Sequence, residues 1–249
     1  MKKVIALHAS RRKMNTYGLL VQIQHKLAQN DVEMEILSLY DYNIQDCLGC
    51  EKCILQGDCV RHDDVEFLMN KLEEADGIIL SSPVYLQQVS GKLKSFIDRT
   101  CKWYHRPVLY GKPVLCVATT KGSGLKSTLS YLGSVAVQWG AMPIGRIGRT
   151  IRSIESPVTD KELSGFIKLL QAPQSYRPTL NSLINFETQK ALAKYLNGLD
   201  TCYWSERGWD TKPYYFRCGS NGLACILSKA FGVLLQRGMA HGQNKTGRK

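Results

Sequence analysis

A chain of 249 residues, 44% of them hydrophobic, can bury a full core, and its length favours one domain plus an appendage. The net charge is +12 and uneven, because the last 49 residues carry eight Lys or Arg against Glu206 and Asp210. A basic end can face nucleic acid, anionic lipid, an acidic redox partner or a phosphorylated cofactor. The reading adopted is a solvated tail, since nothing along the chain carries a nucleic-acid-binding signature.

No stretch approaches the ~18 consecutive apolar residues of a membrane span. The opening MKKVIALHAS has too brief an apolar run for a signal peptide and leads straight into patterned sequence, so the expected compartment is the cytoplasm.

In chain order, the apolar run 3–7 has strand length, and 16–30 repeats Leu19, Leu20, Ile23 and Leu27 at helical spacing. Residues 32–39 alternate as a strand. Asp63 can cap a helix reaching about Glu74, with Glu66 at the third position completing a reciprocal capping pattern. A buried strand follows at 77–82, stopped by Pro83, and 89–99 reads as an amphipathic helix with Val89, Leu93, Phe96 and Ile97 on one side. Further segments are a strand at 112–120, a glycine-bearing loop, a helix at 125–139 and a strand at 141–148. The alternation predicts an α/β fold: a doubly wound parallel sheet of five strands covered on both faces, with its ligand site at the carboxyl ends of the strands. The loops 8–16, 83–88 and 119–124 fall on that edge.

From about Asp160 the strands cease. Helical segments at 160–171, 181–197 and 220–238 predict an α-rich extension, giving domains at 1–172 and 173–249. The aromatic residues Tyr203, Trp204, Trp209, Tyr214, Tyr215 and Phe216 are expected to pack onto the sheet domain, and Leu223, Leu227, Phe231 and Leu234 form one helix face read as a core or dimer seam.

Two places carry chemistry. The loop His8 to Thr16 offers hydroxyls, an amide, consecutive basic side chains and a helix N-terminus, which together can seat a phosphate. The stretch CLGCEKCILQGDC places Cys47, Cys50, Cys53 and Cys59 within thirteen residues, and is expected to be an irregular loop. Structural thiols, a zinc knot or disulfides remain open for it. Three successive cysteines with a fourth nearby is the spacing used by iron–sulfur clusters, whereas zinc usually draws two pairs from separated strands. Cys101, Cys116, Cys202, Cys218 and Cys225 show no ligand spacing.

With Ser10-Arg11 and Asn15-Thr16, the cysteine run followed by Asp63-Asp64, and Ser82-Pro83-Val84-Tyr85 followed by Leu93-Lys94 and Asp98-Arg99, residues 1–150 resemble the flavodoxin-like NADPH-dependent FMN reductases, and within them the iron–sulfur flavoproteins. The chain departs from the family's G-S-P-R-x-x-x-N-T loop: His8 and Ala9 replace small residues, and the Pro is missing. The resemblance implies that Ser10, Arg11, Asn15 and Thr16 hold the FMN phosphate, that Pro83, Val84 and Tyr85 line the flavin ring, and that Thr119, Thr120 and Gly122 close its other side. It further implies a [4Fe-4S] cluster on Cys47, Cys50, Cys53 and Cys59, with NAD(P)H or ferredoxin as electron source, and a homo-oligomer, dimer or tetramer. A cluster-free NAD(P)H-dependent FMN or quinone reductase is the alternative enzyme. A zinc-knot binding module with a basic tail is the alternative of another class.

Overall fold

The computed structural model describes residues 1–195, 198–219 and 221–246. Five strands build the core: β1 (Lys2–His8), β2 (Val32–Ser38), β3 (Gly77–Pro83), β4 (Pro113–Thr120) and β5 (Met142–Thr150). They form one parallel sheet in the order β2-β1-β3-β4-β5. β3 and β4 are almost continuously buried, which is what helices on both faces require of a central strand.

One face packs α1 (Asn15–Ala28) and α7 (Asp160–Gln171) through Leu19, Leu20, Ile23 and Phe166. The other carries α3 (Val65–Glu74), α4 (Gly91–Arg99) and α6 (Leu125–Gln138), filled by Leu68, Leu93, Phe96 and Leu132. Because the chain winds outward both ways from β1 and β3, the loops after β1, β3 and β4 meet at one edge, as the alternation predicts.

Three local details differ from the sequence reading. Residues 47–59 are not wholly irregular: Glu51, in the left-handed region at φ 59°, turns the chain into α2 (Lys52–Leu55), a single turn that carries Cys53. The reciprocal cap on α3 does not form. Asp63 does accept the Val65 N–H at 3.2 Å, but Asp64 is the residue at the cap position, with no side-chain bond, and the Asp63 carboxylate is drawn to Arg99. A true capping box does occur on α7, between Thr159 and Glu162. Another one-turn helix, α5 (Lys102–His105), follows Cys101.

The extension contains α8 (Leu180–Tyr195), α9 (Gly198–Glu206) and α10 (Gly222–Thr246). The sequence predicts the first of these to 197 and the last from 220; residues 196, 197 and 220 lie outside the described residues. α9 is not announced by the sequence pattern, because its hydrophobic side chains are not segregated onto one face. The aromatic residues pack inward: Trp204, Trp209, Tyr214 and Tyr215 join Phe186 in a cluster that reaches Met142 of β5 and Leu169 of α7. Trp204 Nε1 donates to the His105 carbonyl at 2.8 Å and Tyr203 Oη to that of Pro107 at 2.7 Å, so the extension is fastened to the sheet domain by hydrogen bonds as well as apolar contact.

α10 lies along α8 through Ala224 and Ser228, with Gly232 against Glu187, where a Cβ would meet a carboxylate oxygen at 2.6 Å. Its segment Gly222–His241 is the one helix among the described residues long and apolar enough to cross a membrane by length and composition, with mean hydropathy 1.3.

Candidate functional site

At the carboxyl edge the three loops enclose a cavity of about 290 Å³. Ser10, Asn15 and Thr16 contribute from the first loop, Pro83, Val84 and Tyr85 from the second, and Thr119 and Thr120 from the third. Two anticipated residues stand aside. The Arg11 guanidinium lies over the Tyr40 ring, 5.3 Å from its centroid, and Arg12 lines the cavity in its place. Gly122 contributes support, its N–H donating to Thr120 Oγ1 at 3.1 Å, and Lys121 is the neighbour that reaches the wall. The shortened first loop, without its Pro, accounts for the ambiguity between the adjacent arginines: either could have been drawn into register from sequence alone.

The loops hold one another in place. Thr16 Oγ1 and Thr119 Oγ1 share a buried hydrogen bond of 2.6 Å, and the Val84 N–H donates to the Thr119 carbonyl at 2.8 Å. Tyr85 and Gln88 exchange backbone bonds across a tight turn whose tip, Leu86 and Gln87, is left-handed. Gly124, at φ +87°, lets the third loop press against this turn, since a Cβ there would sit 2.8 Å from Gln87 Cα. Below the first loop His8 is fully buried with neither ring nitrogen partnered, and burial pushes its pKa down, favouring the neutral ring.

No side chain caps α1, so its first-turn N–H groups retain the donor capacity that an anion at a helix N-terminus satisfies. Arg12 and Lys121 supply positive charge, and Pro83 to Tyr85 a largely apolar wall. A phosphate joined to a flat heterocycle fits these residues.

A second cavity, of about 400 Å³, lies at the cysteine loop and is lined by Cys47, Cys50, Cys53 and Cys59. A fifth thiol that spacing did not reveal, Cys101, lines it too, with its Sγ 3.3 Å from that of Cys53. Through this hydrogen bond, Cys53 is the member of the pair that ionises more readily and Cys101 the one that keeps its proton. Among the described residues no three Cys, His, Asp or Glu side chains converge closely enough to grip one metal ion. The thiols instead line a space wider than the ~2.3 Å zinc–sulfur bond demands.

Arginines frame this cavity. Arg99 and Asp63 form a buried ion pair at 2.6 Å, and the pair grips both feet of the loop: Arg99 donates to the Gln45 carbonyl at 2.9 Å and Asp63 accepts the Gln45 N–H at 2.8 Å, while Arg61 donates to the Gln45 side chain at 2.7 Å. Burial would raise the Asp63 pKa, but the Arg99 and backbone donors outweigh it and hold the carboxyl below the usual range. Arg106 grips the middle, donating to the carbonyls of Cys53 at 2.6 Å and Ile54 at 3.0 Å, and is itself paired with Asp200 of α9. The Nε–H groups of Arg61 and Arg99 are buried without partners. An anionic cluster with acceptor sulfurs would satisfy such donors, so the residues present fit that group.

The model of the NADPH-dependent FMN reductase family matches residues 2–153. The chain belongs to this family. It is an FMN-dependent oxidoreductase of flavodoxin-like fold, which sets the enzymatic reading above the zinc-knot module. Among relatives of this chain, an iron-sulfur flavoprotein of Archaeoglobus fulgidus is 31% identical over 221 residues, 84% of this chain and 100% of its own. A quinone reductase of Escherichia coli is 29% identical over 126 residues, 48% of this chain and 61% of its own. The solved structure of RosB superposes with a TM-score of 0.52 at 13% identity, covering 83% of this chain and 87% of RosB, a likeness of fold.

Proposed function

We propose that this reductase is an iron–sulfur flavoprotein that passes electrons from NAD(P)H or ferredoxin to an acceptor through FMN and a [4Fe-4S] cluster. The observation that carries the reading is the presence of two differently built cavities joined along the chain by one short helix, whose Asp98 and Arg99 line the cysteine cavity and whose start follows the loop that lines the other. α4 starts just beyond the Pro83–Gln88 loop and ends at Arg99, and its nine residues span about 14 Å. Bound FMN would accept a hydride as a unit and release electrons singly, which a neighbouring one-electron centre can use.

In this proposal the α1 N-terminus, Ser10, Asn15, Thr16, Arg12 and Lys121 hold the phosphate. Pro83, Val84 and Tyr85 keep water from one side of the ring, and the Thr16–Thr119 bond fixes the distance between the walls. Cys47, Cys50, Cys53 and Cys59 bind the cluster, with Arg61 and Arg99 donating toward it. No side chain need move a proton. All nine cysteines are free, which suits a reducing compartment, and the proposal puts the reaction in the cytoplasm.

The cluster-free NAD(P)H-dependent FMN or quinone reductase remains the second reading, favoured by the Escherichia coli relative. Anaerobic purification followed by a visible spectrum, iron and sulfide assays and flavin extraction separates the two. Equimolar FMN with four irons per chain supports the proposal. FMN without iron after reconstitution supports the alternative, and a colourless chain that takes up no FMN sinks both.

We also propose that the chain works as a homo-oligomer. α10 buries one side on α8 and exposes Leu223, Ile226 and Leu234 at 70%, 67% and 67%, an apolar stripe that a second copy could cover.

A further inference from the structure

Cys53 and Cys101 are 48 residues apart in sequence, yet their sulfurs lie 3.3 Å from each other. Each sits at a one-turn helix, Cys53 within α2 and Cys101 capping α5. The backbone between these helices is already bridged, because Arg106 at the end of α5 holds the carbonyls of Cys53 and Ile54. The sulfurs then have to close from 3.3 Å to the ~2.05 Å of a disulfide. Cys101 also stands outside the four-cysteine run, so the proposed cluster leaves it without a role.

We propose that Cys53 and Cys101 are a reversible dithiol/disulfide pair, a covalent modification site that closes when the cysteine cavity is free of its inorganic centre. The oxidant is a low-molecular-weight disulfide, RSSR. One thiol of the pair gives up its proton and attacks RSSR, forming a mixed disulfide and releasing the first RSH. The second attacks the protein sulfur of that mixed disulfide, forms the Cys53–Cys101 bond and releases the second RSH. The pair loses two electrons and two protons, and both appear in the two RSH molecules.

That the disulfide and the cluster exclude one another rests on the proposed function, in which Cys53 is a ligand; the formation of the disulfide does not. A Cys53 locked to Cys101 has no thiolate to offer iron, so oxidation would hold the site empty until a thiol reduced it.

The test uses the full chain, freed of iron by chelation under anaerobic conditions, reduced, and then exposed to oxidised glutathione. Remaining thiols are blocked and the chain is digested with trypsin without reduction. The expected product is the Cys53–Arg61 peptide joined to Thr100–Lys102, with fragmentation placing the bond on Cys53. Cys101→Ser loses this species and Cys59→Ser keeps it. Absence of the joined peptide, or pairing of Cys53 with Cys47, Cys50 or Cys59, overturns the proposal.

Iron and sulfide uptake by the reduced chain is measured separately. A chain that forms the joined peptide but takes up no iron refutes the cluster alone, and a chain that takes up iron but forms no joined peptide refutes the pair alone. Loading the cluster before adding oxidised glutathione is expected to abolish the joined peptide. Its undiminished formation in the loaded chain overturns mutual exclusion.

Discussion

Arg99 shows how one side chain can decide whether a site exists. It is buried, pairs with an equally buried Asp63, and through its guanidinium joins Gln45, ahead of the cysteine run, to Arg61, beyond it. Removing one member of such a pair strands the other charge in a dry environment. Arg99→Leu is therefore expected to destabilise the fold by about 3–5 kcal/mol, read as a shift in the urea midpoint. The cost of Asp63→Asn should be similar, and an unchanged midpoint in both variants contradicts the clamp.

A second carboxylate gives a pH signature. Glu162 accepts both Arg149 and Thr159, and the Arg149 guanidinium holds its pKa down to about 2 from the ordinary 4.5. A carboxyl depressed in the folded state contributes stability that is fully present above its unfolded pKa and lost as pH falls toward the folded value. Asp63 is displaced in the same direction. Denaturation midpoints should therefore fall as pH drops from 4.5 toward about 2, and Glu162→Gln should flatten that fall in part. A wild-type chain whose midpoint rises over this range contradicts the assignment.

At the scale of elements, the cysteine loop depends on a helix almost 150 residues downstream. Asp200 of α9 pairs with both His105 and Arg106, and Arg106 holds the carbonyls of α2. Asp200→Asn keeps the shape but removes the charge that orients Arg106. Alkylation of Cys53 in the reduced, iron-free chain should then become faster, by about tenfold if roughly 1.4 kcal/mol of local order is lost. Cys116, buried in β4, is the internal control, and equal acceleration at Cys53 and Cys116 would mean global loosening instead.

The elements themselves were unequally legible. β1, β3 and β4 are apolar runs of strand length, so composition and length sufficed. α2 and α5 are single turns fixed by Glu51 in the left-handed region and by the Arg106 contacts, neither of which leaves a periodic trace. α9 was hidden because its large residues face an aromatic cluster assembled from α8 and the Trp209–Phe216 segment, not a stripe of its own.

For the molecule as a whole, the extension is built around rings. Trp204 and Trp209 are nearly inaccessible and pack edge-on, with centroids 5.3 Å apart, against Phe186 and Tyr215. That cluster explains why α8 and α9 stay docked on β5 and α7, and it leaves α10 with a covered side and a bare one. Ile226→Glu with Leu234→Glu puts two charges on the bare stripe. Light scattering is expected to show an oligomeric wild-type chain and a monomeric double variant that keeps its helical circular dichroism. A wild-type chain already monomeric at micromolar concentration removes the stripe as an oligomer seam.

The order of strands and helices, the edge at which the loops gather and the density of thiols at 47–59 were all written in the chain, because hydrophobic period and residue spacing are local properties. The loops 8–16, 83–88 and 119–124 could be placed together because strand ends in a doubly wound sheet converge where the winding reverses, whereas the individual residues Ser10, Asn15, Thr16, Pro83, Val84, Tyr85, Thr119 and Thr120 are named only through the family resemblance. The preference for Arg12 over Arg11, the fifth thiol at Cys101, the Asp63–Arg99 clamp and the reach of Asp200 to Arg106 belong to tertiary structure alone. Each is a meeting of side chains set by loop length and by the mutual angle of packed elements, and neither quantity has a period that a linear sequence can show.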